Sequence, residues 1–112
     1  MQSKIDRKQA VREYKERKIP RGIYAVRCTT TGAAWVGCAR NLEAAKNRTW
    51  FSLRMGNAID RSLQAAWNTY GVDAFVFEVL ETLDDVNEMS VADLLKEKRA
   101  AWVTRLNAEQ LL

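Results

Sequence analysis

The side chains best suited to chemistry lie in one short stretch, Arg21 to Gly37, with Tyr24 in its first half and Trp35 in its second. A phenol both donates and accepts a hydrogen bond, whereas an indole N–H only donates. The chain contains no histidine, which removes Ser–His and Cys–His mechanisms and the common zinc sites. Its two cysteines, Cys28 and Cys38, fall at different levels of the expected hairpin, roughly 16 Å apart along the ribbon. A disulfide needs Cα atoms within about 7 Å, so both are expected to be free thiols, which suits a cytoplasmic protein.

The stretch has the pattern of a β-hairpin. Gly22 to Cys28 and Ala33 to Cys38 are rich in branched and aromatic residues, and the polar run Thr29 to Gly32 separates them. A loop of about four residues ending in glycine suits that connection. With Cys28 facing Ala33, Val26 faces Trp35 and Tyr24 faces Gly37. Tyr24, Val26, Trp35 and Gly37 then share one face of the ribbon. Because Gly37 has no side chain, the Tyr24 ring can lie over it, and two rings with polar tips are presented side by side.

The rest of the chain must position that hairpin. Lys4 to Lys18 contains good helix formers after a capping-box pattern at Ser3. Eight Lys/Arg against three acidic residues between Lys4 and Arg21 make it a basic arm, stopped by Pro20. It either follows a phosphate backbone or is a solvated arm, and it is also a candidate for homodimerisation. Asn41 caps a helix from Leu42 to about Met55, with Leu42, Ala45, Thr49 and Leu53 on one side and Gly56 as its stop. Trp50 and Phe51 read as core aromatics. A further helix spans about Ile59 to Tyr70, with Ile59, Leu63, Ala66, Trp67 and Tyr70 at helical spacing. Ala74 to Glu81 reads as a strand that is apolar on both faces until Glu78, which suits the centre of a small sheet. Asp84, Asp85 and Glu88 form an acidic loop without fixed geometry for a metal. A capping pattern at Ser90 opens a last helix to about Leu106, whose buried side is Leu94, Leu95, Ala101, Trp102 and Leu106. The expected fold is α+β: a three-stranded antiparallel sheet flanked by helices, with an extra N-terminal basic helix over residues 1–20 and a single domain over 21–112.

With 112 residues, 47% of them apolar, the chain can bury a core as one domain. No apolar run approaches the roughly 20 residues of a membrane span, and the N-terminus lacks the apolar core of a secretory signal. Charge is unevenly spread. Residues 1–61 carry 14 Lys/Arg against 5 Asp/Glu, a net of +9, and residues 62–112 carry 4 against 9, a net of −5. A polyanion is the natural partner of the first half, and solubilising surface charge is the plainer alternative.

Gly22, Ile23 and Tyr24 followed by Trp35, Val36 and Gly37 resemble the paired signature of the GIY-YIG nuclease family. The segments Gly37 to Leu42, Leu63 to Gly71 and Phe75 to Glu81, and the final helix with Trp102, are also similar to that family in order and spacing. The resemblance implies a metal-dependent endonuclease that hydrolyses DNA, or RNA, with Mg²⁺ or Mn²⁺, the divalent ion and an arginine offsetting charge on a pentavalent phosphate. On this reading Tyr24 helps to activate water and Gly37 matches the end of the second motif. Trp35 stands where a tyrosine is usual; it can position a phosphate but cannot be a base. The usual arginine position is Ala45, so Arg48, one turn later, is the candidate for transition-state stabilisation. The glutamate is ambiguous: one way of counting places Arg99 at its position, and another favours Glu97 as the metal ligand. Asn107 is a candidate for the asparagine that often follows. Arg21, Arg27, Arg40 and Lys46 are the expected nucleic-acid contacts, to phosphate rather than to bases. Two other readings stay open: a domain of the same fold that binds nucleic acid without hydrolysis, and an adaptor whose basic arm docks on an acidic protein.

Overall fold

A computed structural model describes residues 20–83 and 88–111. The basic arm and most of the acidic loop lie outside the described residues.

The hairpin forms in the expected register. Strand β1 (Gly22–Cys28) pairs antiparallel with β2 (Ala34–Ala39), with Tyr24 opposite Gly37 and Val26 opposite Trp35. The Cys28 N–H donates to the Ala33 carbonyl at 2.8 Å, closing the loop. Helix α1 (Leu42–Met55) starts at Asn41, whose side-chain oxygen accepts from the Ala44 N–H at 2.9 Å, and it ends at Gly56. Leu42, Ala45 and Leu53 are its buried stripe.

Helix α2 (Arg61–Tyr70) begins later than its apolar spacing suggests. Asp60 accepts from the Leu63 N–H at 3.1 Å and is the N-cap, so Ile59 falls outside the helix and is 79% exposed. A short 3-10 turn leads into β3 (Phe75–Thr82), and helix α3 (Glu88–Leu106) follows. Helix α3 starts two residues before the Ser90 capping pattern, and Ala101 is exposed rather than buried.

The sheet differs from the expected one in two ways. Its order is β3-β1-β2-β4, four strands rather than three. The additional strand, β4 (Glu109–Gln110), runs parallel to β2. The central pair is therefore β1 and β2, and β3 is an edge strand, antiparallel to β1. Phe75 points into the core, whereas Val76 and Val79 are exposed. The unbroken apolar run of β3 is thus packed in part on both faces, Phe75 and Phe77 in one layer and Leu80 against the other, with Val76 and Val79 left open at the edge. Trp50 packs against the core as expected, but Phe51 is exposed.

The sheet separates two apolar layers. On one face Tyr24, Val26, Cys28 and Trp35 meet the buried sides of α1 and α2, with Phe75, Phe77 and Leu111. On the other, Ile23, Ala25 and Val36 meet Val91 and Leu95 of α3. Strict alternation of side chains along β1 sends odd and even residues to different layers. Gly22 is fixed by crowding: a Cβ there would lie 1.9 Å from the Glu81 carbonyl oxygen, beside an irregularity in the β1–β3 pairing at Ile23/Tyr24.

Candidate functional site

The site starts from the contact between Tyr24 and Gly37. A Cβ on Gly37 would lie 2.6 Å from Tyr24 Cζ and 2.7 Å from its hydroxyl oxygen. Only a glycine leaves room for the phenol tip at this place. The Tyr24 ring is stacked on Phe77 with centroids 4.8 Å apart, and Trp50 meets Phe77 edge-on at 6.0 Å. Ring pairs of this kind stabilise by about 0.5–1.5 kcal/mol beyond burial, so Tyr24 is held by packing on two sides.

The Tyr24 tip opens onto a cleft of about 460 Å³ between the sheet, α1 and the start of α2. Its polar lining includes Arg48, Thr49 and Ser52 from α1 and Asn57 and Asp60 from the connection to α2. Burial pushes the Tyr24 phenol above its usual range. A side-chain hydrogen bond with Thr49 and the charge of Arg48 oppose the rise, Cys38 adds to it, and Arg99 opposes it. The group is therefore a neutral phenol near pH 7, a hydrogen-bond donor toward an anionic oxygen.

Trp35 is turned away from this role. It is 4% exposed, and its indole N–H donates to Ser62 Oγ at 2.8 Å. The Ser62 oxygen also lies 2.7 Å from Asp60 Oδ1 and 3.0 Å from Glu109 Oε2. The indole donor is thus used inside the protein, tying β2 to the cap of α2.

The expected basic contacts are dispersed. Arg48 is exposed and lines the cleft, one turn from the buried Ala45. Lys46 and Arg40 are exposed near the start of α1. Arg21 donates through Nε to the Leu83 carbonyl at 3.1 Å, linking β1 to the end of β3. Arg27 pairs with Glu78 across β1 and β3 at 3.1 Å. The structure brings together Tyr24, Gly37 and Arg48, and leaves Arg21 and Arg27 in bonds that tie strands together.

Helix α3 bears on the metal question. Glu97 is exposed. Arg99 is two residues on, roughly 200° around the helix, and comes back to the sheet, where Nη1 lies 3.7 Å from Cys38 Sγ. Its Nε is buried without a hydrogen-bond partner. Among the described residues no three His, Cys, Asp or Glu side chains are grouped to hold a metal ion. Among the same residues, the cleft lining offers Arg48 and a single carboxylate, Asp60, a poor set for a divalent cation, whose usual ligands are several carboxylate and carbonyl oxygens.

Sequence reasoning did not find Thr49, Asn57 or Asp60 as cleft residues. Asp60 had a readable signal as a capping residue three positions before a buried leucine; Thr49 and Asn57 had none. The chain matches no protein-family model, and no curated protein matches it. Two solved structures are similar. One is the catalytic domain of the homing endonuclease I-TevI, at TM-score 0.70 and 26% identity, covering 82% of this chain and 98% of that one. The other is a variant of the same catalytic domain, described as an intron endonuclease, at TM-score 0.68 and 27% identity, covering 79% and 84%.

Proposed function

We propose, from the premise that this chain has the GIY-YIG nuclease fold, that it is a nucleic-acid-binding domain that grips a phosphodiester in the cleft over Tyr24. The observation that carries this is the pairing of a buried neutral phenol with the Arg48 guanidinium at one opening. A phosphodiester oxygen accepts from both kinds of donor. Arg40 and Lys46, exposed beside the start of α1, add charge along the same basic half of the chain, where they would neutralise neighbouring phosphates.

The similarity to an endonuclease catalytic domain favours a second reading, hydrolysis of DNA with Mg²⁺ or Mn²⁺, Glu97 being its metal ligand. Tyr24 and Arg48 would serve either reading. One experiment separates the two: supercoiled plasmid and branched DNA are incubated with the protein and either metal, and binding is followed over a salt series. The expected result is binding that weakens steeply with salt and no nicked product. Metal-dependent nicking that disappears in both Tyr24→Phe and Glu97→Ala would establish the hydrolytic reading in its place.

A further inference from the structure

The short loop that joins α1 to α2 is a wall shared by two hollows. One is the cleft over Tyr24, lined on this side by Asn57, Ala58 and Ile59. The other uses the same three residues and is completed by Gly56, Arg61 and Gln64. Ile59 stands on that wall with most of its side chain in water. The loop has little freedom to draw it in. The Asn57 N–H donates to the Ser52 carbonyl at 3.0 Å, and the Ala58 N–H donates to Oε1 of the buried Gln64 at 3.0 Å. Gln64 in turn donates through Nε2 to the Leu53 carbonyl at 3.1 Å, and Asp60 caps α2. An apolar side chain is thus held outward at the rim of the cleft by a loop whose backbone is tied to both helices.

The exposed apolar surface continues along α1. Met55 and Phe51 are 62% and 64% exposed. Arg48, Ser52 and Met55 recur at spacings of four and three and so share one side of the helix, and Phe51 lies one turn before Met55. Arg48 and Ser52 line the cleft. One exposed apolar residue is ordinary; three within the stretch from Phe51 to Ile59, beside one opening, form a surface. Charge says what fits it. Residues 42–61 carry Lys46, Arg48, Arg54 and Arg61 against Glu43 and Asp60. All four cations are exposed, whereas Asp60 is buried in its cap. A nucleic acid offers both the anionic groups and the flat apolar faces that such a surface would take, and its bases present those faces where they are unpaired or unstacked. In a matched duplex the faces are closed by stacking, and an aliphatic wedge must first open a step.

We infer that Ile59 is a wedge that meets an unpaired or unstacked base beside the phosphate gripped at Tyr24 and Arg48, so that the preferred substrate is nucleic acid with an unpaired base rather than an intact duplex. This inference rests on the proposed nucleic-acid cleft and names its substrate class. The phosphate occupies the cleft, its base passes over Ile59, and Met55 and Phe51 face the next base in line. A base that is already unpaired costs least to take out of the stack, and that difference makes the preference.

The test uses the full chain and two DNA probes: a matched duplex, and the same duplex with a one-nucleotide bulge whose base is 2-aminopurine, a fluorophore that brightens on unstacking. Each is titrated in EDTA and in Mg²⁺. Wild type should bind the bulged probe on the order of tenfold more tightly than the matched one, with a rise in 2-aminopurine fluorescence. Ile59→Ser should bind the bulged probe about tenfold more weakly, lose the fluorescence rise, and keep the log–log salt slope, since no phosphate contact has been removed. Ile59→Leu should retain the preference and the signal, because an aliphatic side chain of the same size stands in its place. Both variants should melt as wild type does, since the side chain lies in water.

Equal wild-type affinity for the two probes, or a preference that survives Ile59→Ser, would overturn the wedge and leave the cleft reading standing. Binding of neither probe, with or without Mg²⁺, would overturn the proposed function and the wedge with it. A wild-type chain that self-associates in sedimentation, becomes monomeric in Ile59→Ser and shows no preference between the probes would assign the apolar surface to a second copy of the chain and overturn the inference.

Discussion

The two faces of the sheet solve the same packing problem with different materials. One face is aromatic: Tyr24, Trp35, Phe75 and Phe77 from the strands meet Trp50 and Trp67 from the helices, with successive centroids 4.8 to 6.5 Å apart. The other is aliphatic, with Ile23, Ala25 and Val36 against Val91 and Leu95. Tyrosine and tryptophan bring a polar tip into an apolar layer, and only the aromatic face opens into the cleft over Tyr24. The aliphatic face has one such ring at its margin, Trp102 of the covering helix, and its indole N–H is used on Glu81 at 2.9 Å.

The largest expected effect comes from opening the aromatic face. Trp67 touches both Trp50 and Phe75, and Trp67→Ala should cost about 3–5 kcal/mol in denaturant unfolding. Leu95→Ala on the aliphatic face is expected at the lower end of the about 2–5 kcal/mol typical of such truncations. A larger loss for Leu95→Ala would mean that the helix, not the rings, holds the sheet. Next in size is Gly37→Ala. The added methyl meets the Tyr24 ring and, at 3.1 Å, Leu111, so a loss of about 1–3 kcal/mol is expected. Tyr24 fluorescence is obscured by four tryptophans; an NMR shift of the Tyr24 ring protons is the direct check that the phenol has moved.

The smallest effect concerns pH. Burial raises the folded-state pKa of Tyr24 above its unfolded value near 10. Below about pH 10 the phenol is protonated in both states, and its contribution to stability is complete. As pH rises from there through the folded value, the unfolded chain loses its proton first and stability falls. Tyr24→Phe should flatten that alkaline limb. An unchanged limb would show that the phenol tip is more solvated than its packing implies.

These contrasts also mark what the sequence made legible. The hairpin register followed from the alternation of branched and aromatic residues about Thr29 to Gly32, because one face of each strand must be apolar. The Asn41 cap and the Gly56 stop followed from local backbone chemistry in the same way. Strand β3 misled because Val76 and Val79 are as apolar as Phe75, and composition does not distinguish a covered strand from an edge. Strand β4 was invisible: Glu109 and Gln110 pair through backbone alone, and no pattern of side chains announces a two-residue strand. At the site, Tyr24, Gly37 and Arg48 were reachable from the hairpin and one helix turn. The two ways of counting along the last helix lead to Arg99 and Glu97; Glu97 is exposed, and Arg99 returns to the sheet at Cys38.

Strand β4 has a consequence for the order of assembly. The Leu111 N–H donates to the Val36 carbonyl at 2.8 Å, and its side chain closes under Gly37 at the floor of the cleft. This contact joins residues 75 positions apart in the chain. Pairings of such long range are slow to form. During synthesis the hairpin and α1 emerge early with Tyr24, Gly37 and Arg48, Phe77 follows with β3, and the cleft floor stays open to water until residue 111 arrives. The cleft is therefore a late product of folding, and a chain stalled before that residue would carry the tyrosine without the cleft it serves.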